Sequence, residues 1–143
     1  MLTKVALIAA GGGLGAVARF LLAAWANKAW PNFPGGTLLV NLLGCLCIGL
    51  LMPFFAGHDP RFKEEWRLLL VIGFLGAFTT FSTFAYETFA LGGAEGDAGQ
   101  MGKAFANVAI SVIGGLALVW AGYWLTNRAL GLSGGLSGGL PGG

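Results

Sequence analysis

Charge is scarce in this chain of 143 residues: 10% of it is Asp, Glu, Lys or Arg, against roughly 25% in an ordinary soluble domain. Apolar residues make up 56% and the mean hydropathy is +0.77. A soluble fold of this size cannot hide so much apolar surface, so the scarcity points to a membrane protein. The eight Lys and Arg are scattered and the net charge is only +2, which argues against a nucleic-acid surface. The single histidine, His58, stands beside Asp59 in a Pro-containing link and offers no ligand cluster. Cys45 and Cys47 point about 200° apart on a helix, which excludes a mutual disulfide and leaves no CxxC or Cys/His metal spacing. No nucleophile–base pair occurs in or beside the apolar runs, which argues against an enzyme. A cleavable signal is missing too. The first apolar run contains "GGGLGAVARF" with Arg19 and leads to no Ala-x-Ala site, so it reads as a retained helix.

What is present is four apolar segments, Val5 to Trp25, Gly36 to Phe55, Trp66 to Leu91 and Ala104 to Thr126. Each is near the ~20 residues that cross a bilayer. Pro31, Pro34 and Pro60 fall in the short links, and Trp25, Trp30, Trp66, Trp120 and Trp124 bracket the spans as interfacial aromatics. The expected architecture is all-α, a single four-helix transmembrane domain over residues 1–130. The Gly/Ser/Leu tail from Gly131 to Gly143 repeats Gly-Leu-Ser-Gly-Gly and reads as a flexible appendage. Four spans put both termini on one side. That side collects Lys4, Arg61, Lys63, Arg67 and Arg128 against Lys28 and Lys103, a modest bias toward cytoplasmic termini that Arg19 narrows further.

Polar groups at membrane depth are costly, so each asks for a reason. The first helix aligns Gly12, Gly15, Ala16 and Arg19, a small-residue packing face. Two readings of Arg19 are open, a charge held against protein or water, or a side chain snorkelling to the interface. The second helix aligns Thr37, Asn41, Gly44 and Ile48, and Asn41 reads either as interhelical glue or as a pore group. The fourth aligns Asn107, Ser111, Gly114, Leu118 and Gly122. The third carries "GAFTTFSTFAYE", with four hydroxyl side chains besides the Tyr86 phenol, four aromatics and Glu87, the only carboxylate in a span. Gly73, Gly76 and two threonines weaken a helix there. Either the helix stays intact with its hydroxyls bonded to the preceding turn, or it breaks and frees carbonyls that protein, water or an ion must satisfy.

Together these segments resemble the Fluc (CrcB) family of small fluoride channels. The first helix has "GGLGAVARF", close to GGxxGAxxR and an aromatic; the second has "GTLLVNLLG", matching GTLxVNxxG. The third has "GFLGAFTTFSTFAYE", close to GxxGxxTTFSTF with a later Glu, and the fourth "NVAISVIGG", matching N-x-x-x-S-x-x-G. Leu46, Ala77 and Ala85 depart mildly from the family pattern. The resemblance implies a third helix broken near its middle and an antiparallel, dual-topology homodimer with two pores in a bacterial inner membrane. It implies passive export of cytoplasmic fluoride. A pore for so tightly hydrated an anion must replace water with closely spaced donors; Asn41 and the hydroxyls of Thr79, Thr80, Ser82, Thr83 and Ser111 would serve. Phe81 and Phe84 would line the path with ring edges, which carry the positive part of the quadrupole. By motif position the carbonyls of Gly76 and Thr79 would hold a structural sodium ion at the dimer centre, and Arg19 would raise anion concentration at the vestibule.

Two other readings compete. A small dual-topology, proton-coupled cation or drug exporter needs a membrane-embedded acid; the first span has none and carries Arg19 instead, leaving Glu87 as its candidate. A non-transporting assembly subunit would use the polar faces as glue alone.

Overall fold

A computed structural model describes residues 1–55, 64–93 and 98–131. His58, Asp59, Pro60, Arg61 and Lys63, and the tail from residue 132 onward, lie outside the described residues. All regular structure described is helical: α1 (Leu2–Ala29), α2 (Gly35–Phe55), α3 (residues 64–78), α4 (Phe81–Gly92) and α5 (Ala98–Ala129). Four stretches are long and apolar enough to cross a membrane: α1, α2, Glu64–Gly92 and α5. The protein is an integral, multi-pass membrane protein. Its helices overrun the apolar segments; α5 begins at Ala98, so "AGQMGK" forms a polar first stretch ahead of the hydrophobic run.

Backbone-to-backbone packing through glycine sets the helix pairs. α1 lies on α3, where a Cβ at Gly11 would stand 2.1 Å from the Leu69 carbonyl oxygen and one at Gly15 2.1 Å from that of Phe74. Small residues at such crossings admit the close approach that dispersion rewards in lipid. The contact row is Gly11 and Gly15; Gly12 sits at its edge, with the Gly73 oxygen 3.9 Å from its would-be Cβ. α2 packs on α5, with the would-be Cβ of Gly49 at 2.3 Å from the Val119 oxygen and that of Gly122 at 2.8 Å from the Leu46 oxygen. Between the pairs sits a small core of Val40, Leu75 and Phe78, flanked by Ala18, Leu22, Ile48, Leu51 and Phe74.

Two helices carry π-helical stretches, Arg67–Leu75 in α3 and Ile110–Gly114 in α5. Each widened turn advances the helix face by a fraction of a residue, and such insertions recur at functional positions. In α5 the effect is visible in the small-residue stripe: after Asn107 and Ser111 the buried glycine is Gly115, not Gly114. At the membrane edge an exposed Lys4–Glu64 ion pair joins the starts of α1 and α3, and Arg128 stacks 4.9 Å over the Trp124 ring at the end of α5. Exposed pairs of this kind add little stability; they mark one end of the bundle.

Candidate pore

The site begins with two threonines. Thr79 (φ −82°, ψ 157°) and Thr80 (φ −150°, ψ 121°) are extended between α3 and α4. α3 closes on Leu75, whose carbonyl accepts from the Thr79 N–H at 3.0 Å and from the Thr79 hydroxyl at 2.9 Å. α4 opens on Thr80, whose Oγ1 accepts from the Thr83 N–H at 3.3 Å, an N-cap that satisfies one free donor of the new helix. The Thr80 hydroxyl also lies 3.1 Å from Thr83 Oγ1 and 3.4 Å from Ser82 Oγ.

Asn41, on α2, holds this pair of residues from the side. Its Oδ1 accepts from the Thr80 N–H at 2.8 Å, and its Nδ2 donates to the Thr80 carbonyl at 2.9 Å. The contact is possible because Gly44 lets the chain come close: a Cβ there would stand 2.1 Å from Thr79 Cγ2. With the Thr80 N–H turned to Asn41, the Gly76 carbonyl lacks the donor four residues on that a continuing helix would supply.

A cavity of about 420 Å³ opens at this point. Asn41, Gly76, Thr79, Thr80, Phe81, Phe84 and Ser111 line it, so seven of the positions singled out in the sequence meet there. Ser111 brings a hydroxyl oxygen that is buried and has no hydrogen-bond partner among the described residues. The Phe81 and Phe84 rings stand 5.7 Å apart at 49°, and Phe81 is 79% exposed in the single chain. Ser82 and Thr83 are exposed and do not line the cavity, and the half-buried Arg19 lies on α1 away from it. The Thr79 hydroxyl hydrogen is directed to its own helix.

Three further residues belong to the surroundings. Cys45 lines the cavity, one turn from Asn41 on α2. Glu87 has its Oε2 oxygen buried, with no hydrogen-bond partner among the described residues. It borders a second cavity of about 490 Å³ with Asn27, Asn32 and Tyr86 beneath the α1–α2 link. Thr88, not singled out from the sequence, accepts from the buried Asn107 amide at 2.8 Å. Its signal was the four-residue step from Phe84, which places both on one helix face. No group of three or more His, Cys, Asp or Glu able to hold a metal ion occurs among the described residues.

The sequence matches known proteins over most of its length. The family model described as "CrcB-like protein, Camphor Resistance (CrcB)" matches residues 6–123. The "Fluoride-specific ion channel FluC" of Pseudomonas putida is 44% identical over 127 residues, 88% of this chain and 98% of the relative. Its namesake in Stutzerimonas stutzeri is 45% identical over 123 residues, covering 85% and 95%. "Fluoride-specific ion channel FluC 2" of Symbiobacterium thermophilum is 46% identical over 125 residues, again 85% and 95%. None of these names supports the exporter reading of Glu87.

Proposed function

The chain belongs to the CrcB-like protein family, and from that membership we propose that it is a fluoride-selective channel through which cytoplasmic fluoride leaves the cell passively. The observation that carries the reading is the convergence of Asn41, Ser111 and the Phe81–Phe84 pair on one cavity beside an extended backbone turn. Small fluoride holds its hydration shell tightly, so a path must offer donors in its place without binding too strongly to release it. The Asn41 amide has two N–H groups. Thr80 takes one, which orients the side chain and leaves the other for the cavity. The unpartnered Ser111 hydroxyl is a second donor. The ring edges of Phe81 and Phe84 supply a weak positive field between them, and Thr80 adds its capping hydroxyl cluster at the wall. Ser82 and Thr83 extend the hydroxyl series on the exposed side of α4, and the charge of Arg19, on α1 away from the cavity, raises the anion concentration in the vestibule of the path.

The finer reading is of a third transmembrane helix broken at Thr79–Thr80, in an antiparallel, dual-topology homodimer with two pores in the inner membrane. The open side of the cavity and the exposed Phe81 ring support a second copy as its missing wall. A structural sodium ion fits the donors present: the Gly76 carbonyl has lost its helical partner, and the Thr79 carbonyl is turned out of the helix by its extended ψ. Hard cations take oxygen ligands. Two carbonyls from each of two copies would hold the ion and tie the dimer at its centre.

Efflux from liposomes containing the purified protein, read by a fluoride electrode with a chloride control, tests the reading. Fluoride efflux without chloride efflux is the expected result, sharply reduced in Phe81→Ile. Absence of fluoride efflux from folded protein would overturn it.

A further inference from the structure

α4 carries Phe81 and Phe84, yet none of its 12 residues is buried in the single chain. Packing alone therefore does little to fix its height and rotation. Side chains tie it instead at two levels: Asn41 to Thr80 at its start, and Asn107 to Thr88 past its middle. The first reaches α2; the second reaches α5, the helix that supplies Ser111.

The second tie is also the more sheltered. Asn107 is 1% exposed, and its Nδ2 donates to Thr88 Oγ1 at 2.8 Å. Thr88 lies four residues beyond Phe84 on α4, and Asn107 four residues before Ser111 on α5. Residues at this spacing share a helix face, so the bond sits one turn from two groups that line the cavity from opposite helices. The widened stretch Ile110–Gly114 starts just after Asn107, which makes this amide part of the last regular turn before Ser111. A buried amide deprived of its partner is costly, so the bond favours one alignment of the two helices over its neighbours.

We propose that the Asn107–Thr88 hydrogen bond is a positioning device that sets the separation of the Phe84 ring and the Ser111 hydroxyl, and thereby the fit of the anion, although neither residue touches the ion. The inference rests on the channel reading above. Its test is liposome efflux of fluoride and chloride for four variants checked for folding by size exclusion. Thr88→Val keeps the shape and removes the hydroxyl; Thr88→Ser keeps the hydroxyl; Asn107→Leu removes the amide; the fourth combines Thr88→Val with Asn107→Leu. Thr88→Val and Asn107→Leu are each expected to slow fluoride efflux about 10-fold and to raise chloride leak, with the double variant no slower than the slower single. Thr88→Ser is expected to match the wild type. Where Asn107→Leu does not fold, the Thr88→Val and Thr88→Ser pair decides. Unchanged rate and selectivity in Thr88→Val, or single effects that multiply in the double variant, overturn this inference alone. A wild-type chain that passes no fluoride overturns the channel reading and this inference with it.

Discussion

Asn41 shows how one side chain joins local backbone to proposed transport. Its amide meets Thr80 at both the N–H and the C=O, so it replaces the N–H bond that a continuous helix would have made and adds a second donor at the N-cap carbonyl. Replacing Asn41 with Asp keeps an acceptor for the Thr80 N–H, removes the donor to the Thr80 carbonyl, and places a carboxylate in a path for anions. Fluoride efflux should fall by at least about 10-fold while the protein still elutes as folded. Gly44→Ala acts on the same contact from behind. The new methyl would stand 2.1 Å from Thr79 Cγ2, so Thr79 must move. The expected cost is about 1–3 kcal/mol of stability with slower efflux, read by thermal unfolding in detergent and by the electrode. The amide itself was legible in the sequence, as a polar group in an apolar run. Its partner was not, because Thr80 contributes backbone atoms that any residue has, from 39 positions away.

At the scale of helices, glycine spacing carried the pattern, but register decided which glycines matter. The run Gly11, Gly12 and Gly13 offers three candidates one step apart, and sequence spacing pointed to Gly12 with Gly15. The fold puts Gly11 and Gly15 against α3 and leaves Gly13 with nothing within 4 Å of its would-be Cβ. Four-residue steps run along one face, and which row faces α3 is set by the partner helix, a long-range fact absent from α1 itself. The two positions should therefore part company. Gly15→Val pushes a side chain into the Phe74 carbonyl and should cost roughly 3 kcal/mol or prevent recovery of folded protein. Gly13→Ala should fold as the wild type, with stability unchanged or up to about 1 kcal/mol higher through reduced backbone freedom. Thermal unfolding of the purified variants compares them. In α5 the shift from Gly114 to Gly115 has a similar origin, since a π-helical turn cannot be read from a 3.6-residue period.

For the molecule as a whole, orientation is a balance of few charges. Lys4, Arg67 and Arg128 stand toward one end of the bundle and Lys28 and Lys103 toward the other, while Arg61 and Lys63 lie outside the described residues. A small excess of cations biases insertion weakly, and weak bias is what an antiparallel pair requires, because both orientations must be made. The proposal then ties topology to transport. With Cys45 and Cys47 replaced by Ala, Lys103→Cys places a reactive thiol on an exposed turn at the start of α5. A membrane-impermeant maleimide applied to intact cells should label about half of it if both orientations are populated, and nearly all or none if one is. Added lysines at the Lys28 and Lys103 end should move the labelled fraction away from half. Fluoride efflux should fall in parallel, since chains of one orientation lack antiparallel partners to close the open side of the cavity. Labelling that shifts while efflux per protein stays constant would sever topology from conduction, and would show that one orientation builds the pore unaided.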